Sequence, residues 1–124
     1  MFDIDLQSRT PIYEQLYKRV IELTVKKQLR PGDKLPSVRE LAKALGVNPN
    51  TVSKAFQNLE RDGIIYSLAG RGSFISDKNG AVIKQNTIEQ FTLAAREAYA
   101  AGLSAEEMTD IINKITQTGG NKLD

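Results

Sequence analysis

Two short helical patterns joined by a glycine turn constrain this chain more than any other feature. The stretch PSVRELAKALGVNPNTVSKAF opens with Ser37 and Glu40, which have the spacing of a capping box, and Gly46 suits the left-handed residue that ends a helix. Asn48 can cap a second helix that has Pro49 in its first turn. The sequence therefore predicts a helix-turn-helix.

The apolar residues of both patterns recur at helical spacing, and each set predicts one buried face. In the first helix they are Val38, Leu41, Ala42 and Leu45, and in the second they are Val52, Ala55, Phe56 and Leu59. At about 100° per residue, the outer side of the second helix carries polar residues and few charges. Those residues are Asn50, Ser53, Lys54, Gln57 and Arg61.

Elements on either side of the helix pair complete a small domain. A strand is predicted at residues 2–6, and a helix begins at Pro11 and runs to about Gln28, where LRPGDKLP breaks it. Residues 64–67 and 73–76 are strand-like in composition, and AGRG supplies the turn of a hairpin. This order is that of a winged helix-turn-helix, a mainly α fold with a small β-hairpin.

The rest of the chain predicts a two-helix segment, with helices at residues 86–101 and 104–117 and a second capping box at Ser104 and Glu107. The polar stretch before it contains Asn-Gly, which is typical of a linker or turn. The predicted divisions are a winged domain at residues 1–76, a linker at 77–85, a two-helix segment at 86–118 and a frayed tail at 119–124.

The residue inventory argues against an enzyme. The 124 residues include neither Cys nor His, so thiolate chemistry and the commonest general base and metal ligand are missing. Adjacent carboxylates such as Glu106 and Glu107 point apart on a helix, and capping explains them. We expect no catalytic residues, no metal and no cofactor.

The place of action is also predicted from composition. No run approaches the ~20 apolar residues of a membrane-spanning helix, and MFDIDLQSRT lacks the layout of a secretion signal. We therefore expect a cytoplasmic protein.

Through Ser76 the chain has 12 Lys and Arg against 8 Asp and Glu, and from Asp77 onward it has 5 against 7. The positive first part can face a polyanion, although an ordinary solvated surface gives the same excess.

The residue types at the start of the second helix fit the needs of base reading. Short side chains that donate and accept hydrogen bonds suit the major groove, whereas acidic ones would repel phosphate. At the tip of the wing, one guanidinium between two glycines can enter a narrow minor groove. The candidate DNA-binding residues are Ser37, Arg39, Asn48, Asn50, Thr51, Ser53, Lys54, Gly70 and Arg71.

Each of these signals has a plainer interpretation when it stands alone. Asn48 and Asn50 are also an ordinary helix cap and a surface amide. Gly70-Arg71-Gly72 is also an ordinary hairpin turn with a solvated arginine. The combination with the helix pair is what favours DNA binding.

Over roughly residues 10–76 the chain resembles a known family. PIYEQLYKRV, LRPGDKLPSVRELAKALGVNPNTVSKAFQNLERDGII and GRGSFI are similar in order and spacing to the N-terminal domain of GntR-family transcription regulators. The 48 residues after Ser76 are too few for the effector domain of larger relatives and indicate the YtrA-like subfamily. The resemblance implies a homodimeric repressor on an inverted-repeat DNA operator, and YtrA-like relatives often lie beside transporter genes.

The resemblance also implies roles for particular residues. The family's arginine of the first motif helix maps to Arg39, the start of its recognition helix to residues 48–54, and its wing tip to Gly70 and Arg71. Some relatives carry arginines where this chain has Pro49 and Ser53, so their guanine contacts do not transfer. Amide and hydroxyl side chains should favour adenine or mixed contacts instead.

The C-terminal helices predict self-association, because a symmetric DNA site requires two copies of a module this small. The candidate dimer residues are Phe91, Ala95, Tyr99, Met108, Ile111, Ile112 and Ile115. In one alternative, the stripe from Met108 to Ile115 packs on the chain's own first helix. In another, the winged domain contacts a protein and binds no DNA. The sequence does not identify a small-molecule effector.

Overall fold

The chain folds into two compact units, one at Met1–Lys84 and a second that begins at Gln85. The structure, a computed structural model, describes residues 1–77 and 79–119. The first unit contains the helix-turn-helix and the antiparallel hairpin. The predicted mainly α fold with a small β-hairpin is therefore confirmed.

The segment before the first helix is irregular, so the strand predicted at residues 2–6 is wrong. A glutamine side chain binds its backbone in place of a partner strand. Gln15 Oε1 accepts a hydrogen bond from the Asp5 N–H at 2.8 Å, and Gln15 Nε2 donates to the Asp5 carbonyl at 3.0 Å. Phe2 and Ile4 still pack half-buried on the core.

The first helix, α1, spans Ile12–Val25 and ends earlier than predicted. Pro11 is the capping residue that precedes the first turn rather than a member of it. Lys27 has a left-handed φ of 62°, and the N–H of Gln28 donates to the Leu23 carbonyl at 2.9 Å. This closure satisfies a terminal carbonyl and ends the helix before Gln28.

Helices α2 (Val38–Leu45) and α3 (Pro49–Arg61) form the predicted helix-turn-helix. Gly46 ends α2 in the left-handed conformation, with φ 70°. The inner face of α3 is confirmed, since Val52, Ala55, Phe56 and Leu59 are buried. On α2, Leu41 and Ala42 are buried, and Val38 and Leu45 are half-buried against the same core.

Strands β1 (Ile65–Leu68) and β2 (Gly72–Ile75) pair antiparallel within one residue of the predicted ranges. Ile65 lies opposite Ile75, and both are buried. The hairpin therefore closes one side of the core. The largest fully buried side chains are Leu16, Val20, Leu23, Leu35, Val52, Leu59, Ile64 and Ile75.

A segment that the sequence analysis assigned only to a helix break pairs with the other edge of β2. The N–H of Leu35 donates to the Ser73 carbonyl at 2.9 Å. Lys34 lies opposite Phe74 in an antiparallel bridge. Because β2 is hydrogen-bonded on both edges, the hairpin is held firmly on the first unit.

Helix α4 spans Asn79–Ala100 and begins earlier than predicted, so most of the linker predicted at residues 77–85 is helical. Residue 78 lies outside the described residues. Ile83 is only 8% exposed and belongs to the core of the first unit. Burying such a side chain contributes about 1.5–3 kcal/mol, which outweighs the cost of about 1 kcal/mol for a helical glycine in the Asn-Gly pair.

Helix α5 spans Ala105–Lys114 and begins at the predicted capping box. Ser104 Oγ accepts from the Glu107 N–H at 3.0 Å. A π-helical turn follows at Ile115–Gly119. Residues 120–124 of the predicted tail lie outside the described residues.

Candidate nucleic-acid interface

The start of α3 is shaped by its cap. Asn48 has an extended backbone, and its Oδ1 accepts a hydrogen bond from the Asn50 N–H at 2.8 Å. Pro49 occupies the first helical position, where a missing N–H is no loss. The first turn, PNTV, carries no carboxylate that would cancel the positive end of the helix dipole. This helix start can attract phosphate and present donors to base edges.

The side chains after the cap differ in exposure. Asn50 and Lys54 are exposed, whereas Thr51 and Ser53 are half-buried. The predicted outer face is thus exposed at Asn50 and Lys54, and the two hydroxyl residues lie at its edge. Together with the exposed Asn48, Asn50 supplies the most accessible amides at this helix start.

Lys54 contacts α1 in this structure. Its Nζ lies over the ring of Tyr13, 4.0 Å from the ring centroid. Such a cation–π contact at an exposed site is worth about 0.5–1 kcal/mol. Sequence reasoning missed this partner because Tyr13 is far from Lys54 along the chain. The structure therefore gives Lys54 a contact within the fold besides its predicted place on the DNA-facing side.

The start of α2 brings two further candidates to the surface. Ser37 Oγ accepts from the Glu40 N–H at 3.0 Å, and the Ser37 N–H donates to Glu40 Oε1 at 3.2 Å. The backbone hydrogen bond from Ser37 is the main reason that the pKa of the Glu40 carboxyl is below its usual value. Arg39 is exposed and forms no hydrogen bond or ion pair within the described chain. Its guanidinium is available to a base edge or a phosphate.

The tip of the wing is a tight loop between β1 and β2. The Arg71 N–H donates to the Leu68 carbonyl at 2.9 Å. Gly70 and Gly72 have φ angles of 76° and 109°, which residues with a side chain rarely adopt. Arg71 is exposed between them. The loop thus presents one guanidinium on a narrow support.

A polar cluster at the end of α3 was not found by sequence reasoning. The Tyr17 hydroxyl donates to Asp62 Oδ2 at 2.5 Å, and Arg61 Nε lies 3.1 Å from Asp62 Oδ1. Burial raises the pKa of the Asp62 carboxyl, but the hydrogen bonds from Arg61 and Tyr17 and the charge of Arg61 outweigh it, so that the pKa is lowered. Arg61 was predicted on the outer face, and it is engaged in this cluster, which ties α1 to the end of α3.

The candidate dimer residues leave apolar surface open on α4 and α5. Phe91 and Tyr99 are 57% and 70% exposed, and Ile111, Ile112 and Ile115 are between 39% and 52% exposed. Ala95 and Met108 are half-buried. An isolated exposed apolar side chain is ordinary, but a group of them marks an interaction surface.

Within residues 1–77 and 79–119, no group of carboxylate side chains is placed to hold a metal ion. The described helices also include none that is both long and apolar enough to cross a bilayer.

Comparison with known proteins points to one family. The family model for bacterial regulatory proteins of the gntR family matches residues 12–75. The HTH-type transcriptional repressor YtrA of Bacillus subtilis (strain 168) is 44% identical over 130 aligned positions, and the alignment covers 100% of both chains.

Solved structures show the same similarity. YtrA from Sulfolobus acidocaldarius, a GntR-family transcription factor, is 41% identical with a TM-score of 0.64, and the match covers 77% of this chain and 97% of that one. AraR(DBD) in complex with operator ORE1 is 27% identical with a TM-score of 0.52. That match covers 60% of this chain and 90% of the other.

Proposed function

Because the chain belongs to the gntR family of bacterial regulatory proteins, we propose that it is a homodimeric repressor that binds an inverted-repeat operator in double-stranded DNA. The observation that carries the proposal is the start of α3, where Asn48 and Asn50 are exposed and no carboxylate lies in the first turn. Two relatives support it, since one is named a transcriptional repressor and another was solved with an operator.

In the proposed complex, three parts of the first unit contact DNA. The start of α3 enters the major groove, where the Asn50 amide can form a bidentate contact with adenine. Arg39 reaches the same groove or its phosphates from the start of α2. Arg71 enters the neighbouring minor groove, whose narrow form attracts arginine. The wing is suited to this because β2 is paired on both edges.

The second unit supplies the surface that binds a second copy of the chain. Pairing the exposed apolar faces of α4 and α5 across a two-fold axis would remove them from water. A two-fold dimer presents two copies of α3 to half-sites about one helical turn of DNA apart, which is an inverted repeat. A regulator of this kind acts in the cytoplasm, and a transporter operon is the target that the resemblance to YtrA-like proteins implies.

Selection from a random duplex library tests the reading function directly. The purified full chain is incubated with the library at moderate salt, and the bound pool is sequenced. Asn50→Ala is selected in parallel to remove the most accessible amide of the reading helix. Lys18→Ala is the matched control, because Lys18 is an exposed residue on the side of α1 opposite its buried stripe.

We expect an enriched inverted repeat for the wild type and for Lys18→Ala, and a shifted or lost preference for Asn50→Ala. An unchanged motif in Asn50→Ala would contradict the assignment of α3 as the reading helix. If no sequence is enriched by any of the three proteins, the result favours the alternative in which the winged domain contacts a protein and binds no DNA.

A further inference from the structure

Lys34 occupies a position at the base of the wing that none of the assigned roles uses. It lies opposite Phe74 in the bridge to β2, so its side chain is on the outer face of the small sheet. On that face the ring of Phe74 stacks on Tyr66 with 5.6 Å between centroids. Lys34 is exposed, so its ammonium reaches solvent beside a rigid surface.

The stem of Lys34 runs across the wing backbone at Gly72. The Lys34 Cε lies 3.0 Å, and its Nζ 3.8 Å, from the point that a Cβ on Gly72 would occupy. Gly72 also has a φ of 109°, which disfavours any other residue. The absence of a side chain at Gly72 therefore makes room for the lysine stem, and the ammonium lies next in space to the loop that carries Arg71.

The same lysine is close to the start of α2. Its charge is one of the smaller causes of the lowered pKa of the Glu40 carboxyl, behind the hydrogen bonds from Ser37. Glu40 already accepts from the Ser37 N–H, and Lys34 forms no ion pair with any carboxylate in the described chain. Lys34 thus holds a positive charge that forms no ion pair in the described chain, between the start of α2 and the base of the wing.

We propose that Lys34 binds a backbone phosphate between the groove that α3 enters and the groove that the wing enters. A lysine ammonium suits this task, since it binds phosphate as a point charge and carries no base preference. The contact fixes the position of the wing on DNA, because the lysine stem lies against Gly72. This inference rests on the proposed function and adds a residue that sets affinity rather than sequence preference.

Salt titration of DNA binding tests the role of Lys34. The full chain and the variants Lys34→Gln, Lys34→Arg and Lys18→Gln are titrated with the duplex recovered by selection and with a scrambled duplex of equal length. Binding is measured from low to moderate salt, below the melting temperature of every variant. Removing one phosphate contact should reduce the slope of log affinity against log salt by about 0.9. That slope change corresponds to a loss of roughly five- to tenfold in affinity near 0.1 M salt.

The expected result is a lower slope and weaker binding of the selected duplex for Lys34→Gln, with the same enriched motif. Lys34→Arg should retain most of the affinity, and Lys18→Gln should match the wild type. A wild-type slope in Lys34→Gln would overturn the proposal, whether or not affinity falls, because a fall alone would mean that the residue only shapes the wing. If the wild type itself binds neither duplex, it is the proposed function that fails.

Discussion

At the scale of single residues, the cations of the first unit differ in whether the fold already uses their charge. Arg61 is paired with Asp62, and Lys54 lies over Tyr13. Arg39 is exposed at the start of α2, and Arg71 is exposed at the tip of the wing. A charged side chain without a partner in the described fold can contact DNA without breaking an internal contact.

Removing either free guanidinium should weaken DNA binding and leave the fold intact. Arg39→Ala and Arg71→Ala should each cost about 1 to 3 kcal/mol of binding free energy on the selected duplex. The melting temperature of each variant should stay close to that of the wild type, because neither side chain contributes to the core. Fluorescence anisotropy and thermal melting measure the two quantities, with Lys18→Ala as control. A large fall in melting temperature would instead make the arginine structural.

Asp62 should make stability depend on pH in the acid range. Its pKa is lowered in the folded state, so the folded protein binds the proton less readily than the unfolded chain. The stabilisation is therefore fully present above about pH 5, where the unfolded carboxyl is ionised, and it is lost as pH falls through the unfolded pKa and then through the lower folded pKa. Asp62→Asn should lower the free energy of unfolding by about 1 to 2 kcal/mol at pH 7.

Urea unfolding at several pH values checks this prediction. The difference between wild type and Asp62→Asn should shrink as the pH falls below about 4. A difference that stays constant from pH 7 to pH 3 would show that the charge of Asp62 contributes nothing to the link between α1 and α3.

At the scale of elements, the sequence predicted the helix ends and the hairpin, because these depend on residues that are close together in the chain. The capping boxes, Gly46 and the cap at Asn48 fixed the ends of α2 and the start of α3, because the side chains involved are within three residues of their partners. The register of α3 followed from apolar spacing alone. The hairpin followed from its turn residues.

Features that depend on distant partners were missed or wrong. The predicted strand at residues 2–6 is instead a segment bound by Gln15, and α4 begins early because Ile83 is buried by the first unit. The pairing of Lys34 with Phe74 and the contact of Lys54 with Tyr13 also join residues far apart in sequence. No periodicity within a single element carries that information.

The register of α3 is tested by its buried aromatic residue. Phe56→Ala should lower the free energy of unfolding by about 3 to 5 kcal/mol, because it leaves a cavity in the core. Gln57→Ala, on the exposed face of the same helix, should change it by less than about 0.5 kcal/mol. Chemical denaturation of both variants measures the contrast. Equal stability of the two would contradict the observed burial of Phe56.

At the scale of the whole molecule, the proposed assembly joins one reading unit to a surface for a second copy. An inverted repeat has two half-sites, and each protomer has one α3. Two protomers related by a two-fold axis would therefore place one α3 on each half-site. The apolar side chains of α4 and α5 are open to solvent in the single chain, and self-association would cover them.

A charge on the apolar face of α5 should separate the copies. Ile111→Asp is expected to sediment as a monomer, because a buried carboxylate without a partner is strongly unfavourable at an interface. Asn113→Asp places the same charge on the opposite side of α5, where Asn113 is exposed, and should leave the assembly unchanged. Circular dichroism should show the first unit folded in both variants. If Ile111→Asp sediments as the wild type does, this face is not the dimer interface.

The most direct test of the account is the stoichiometry of the complex with the selected duplex. Analytical ultracentrifugation of the full chain with a duplex carrying the whole inverted repeat should give two protomers per duplex, and a duplex with one half-site should bind much more weakly. One protomer bound with equal affinity to the whole site and to the half-site would contradict a dimeric reader of operator DNA.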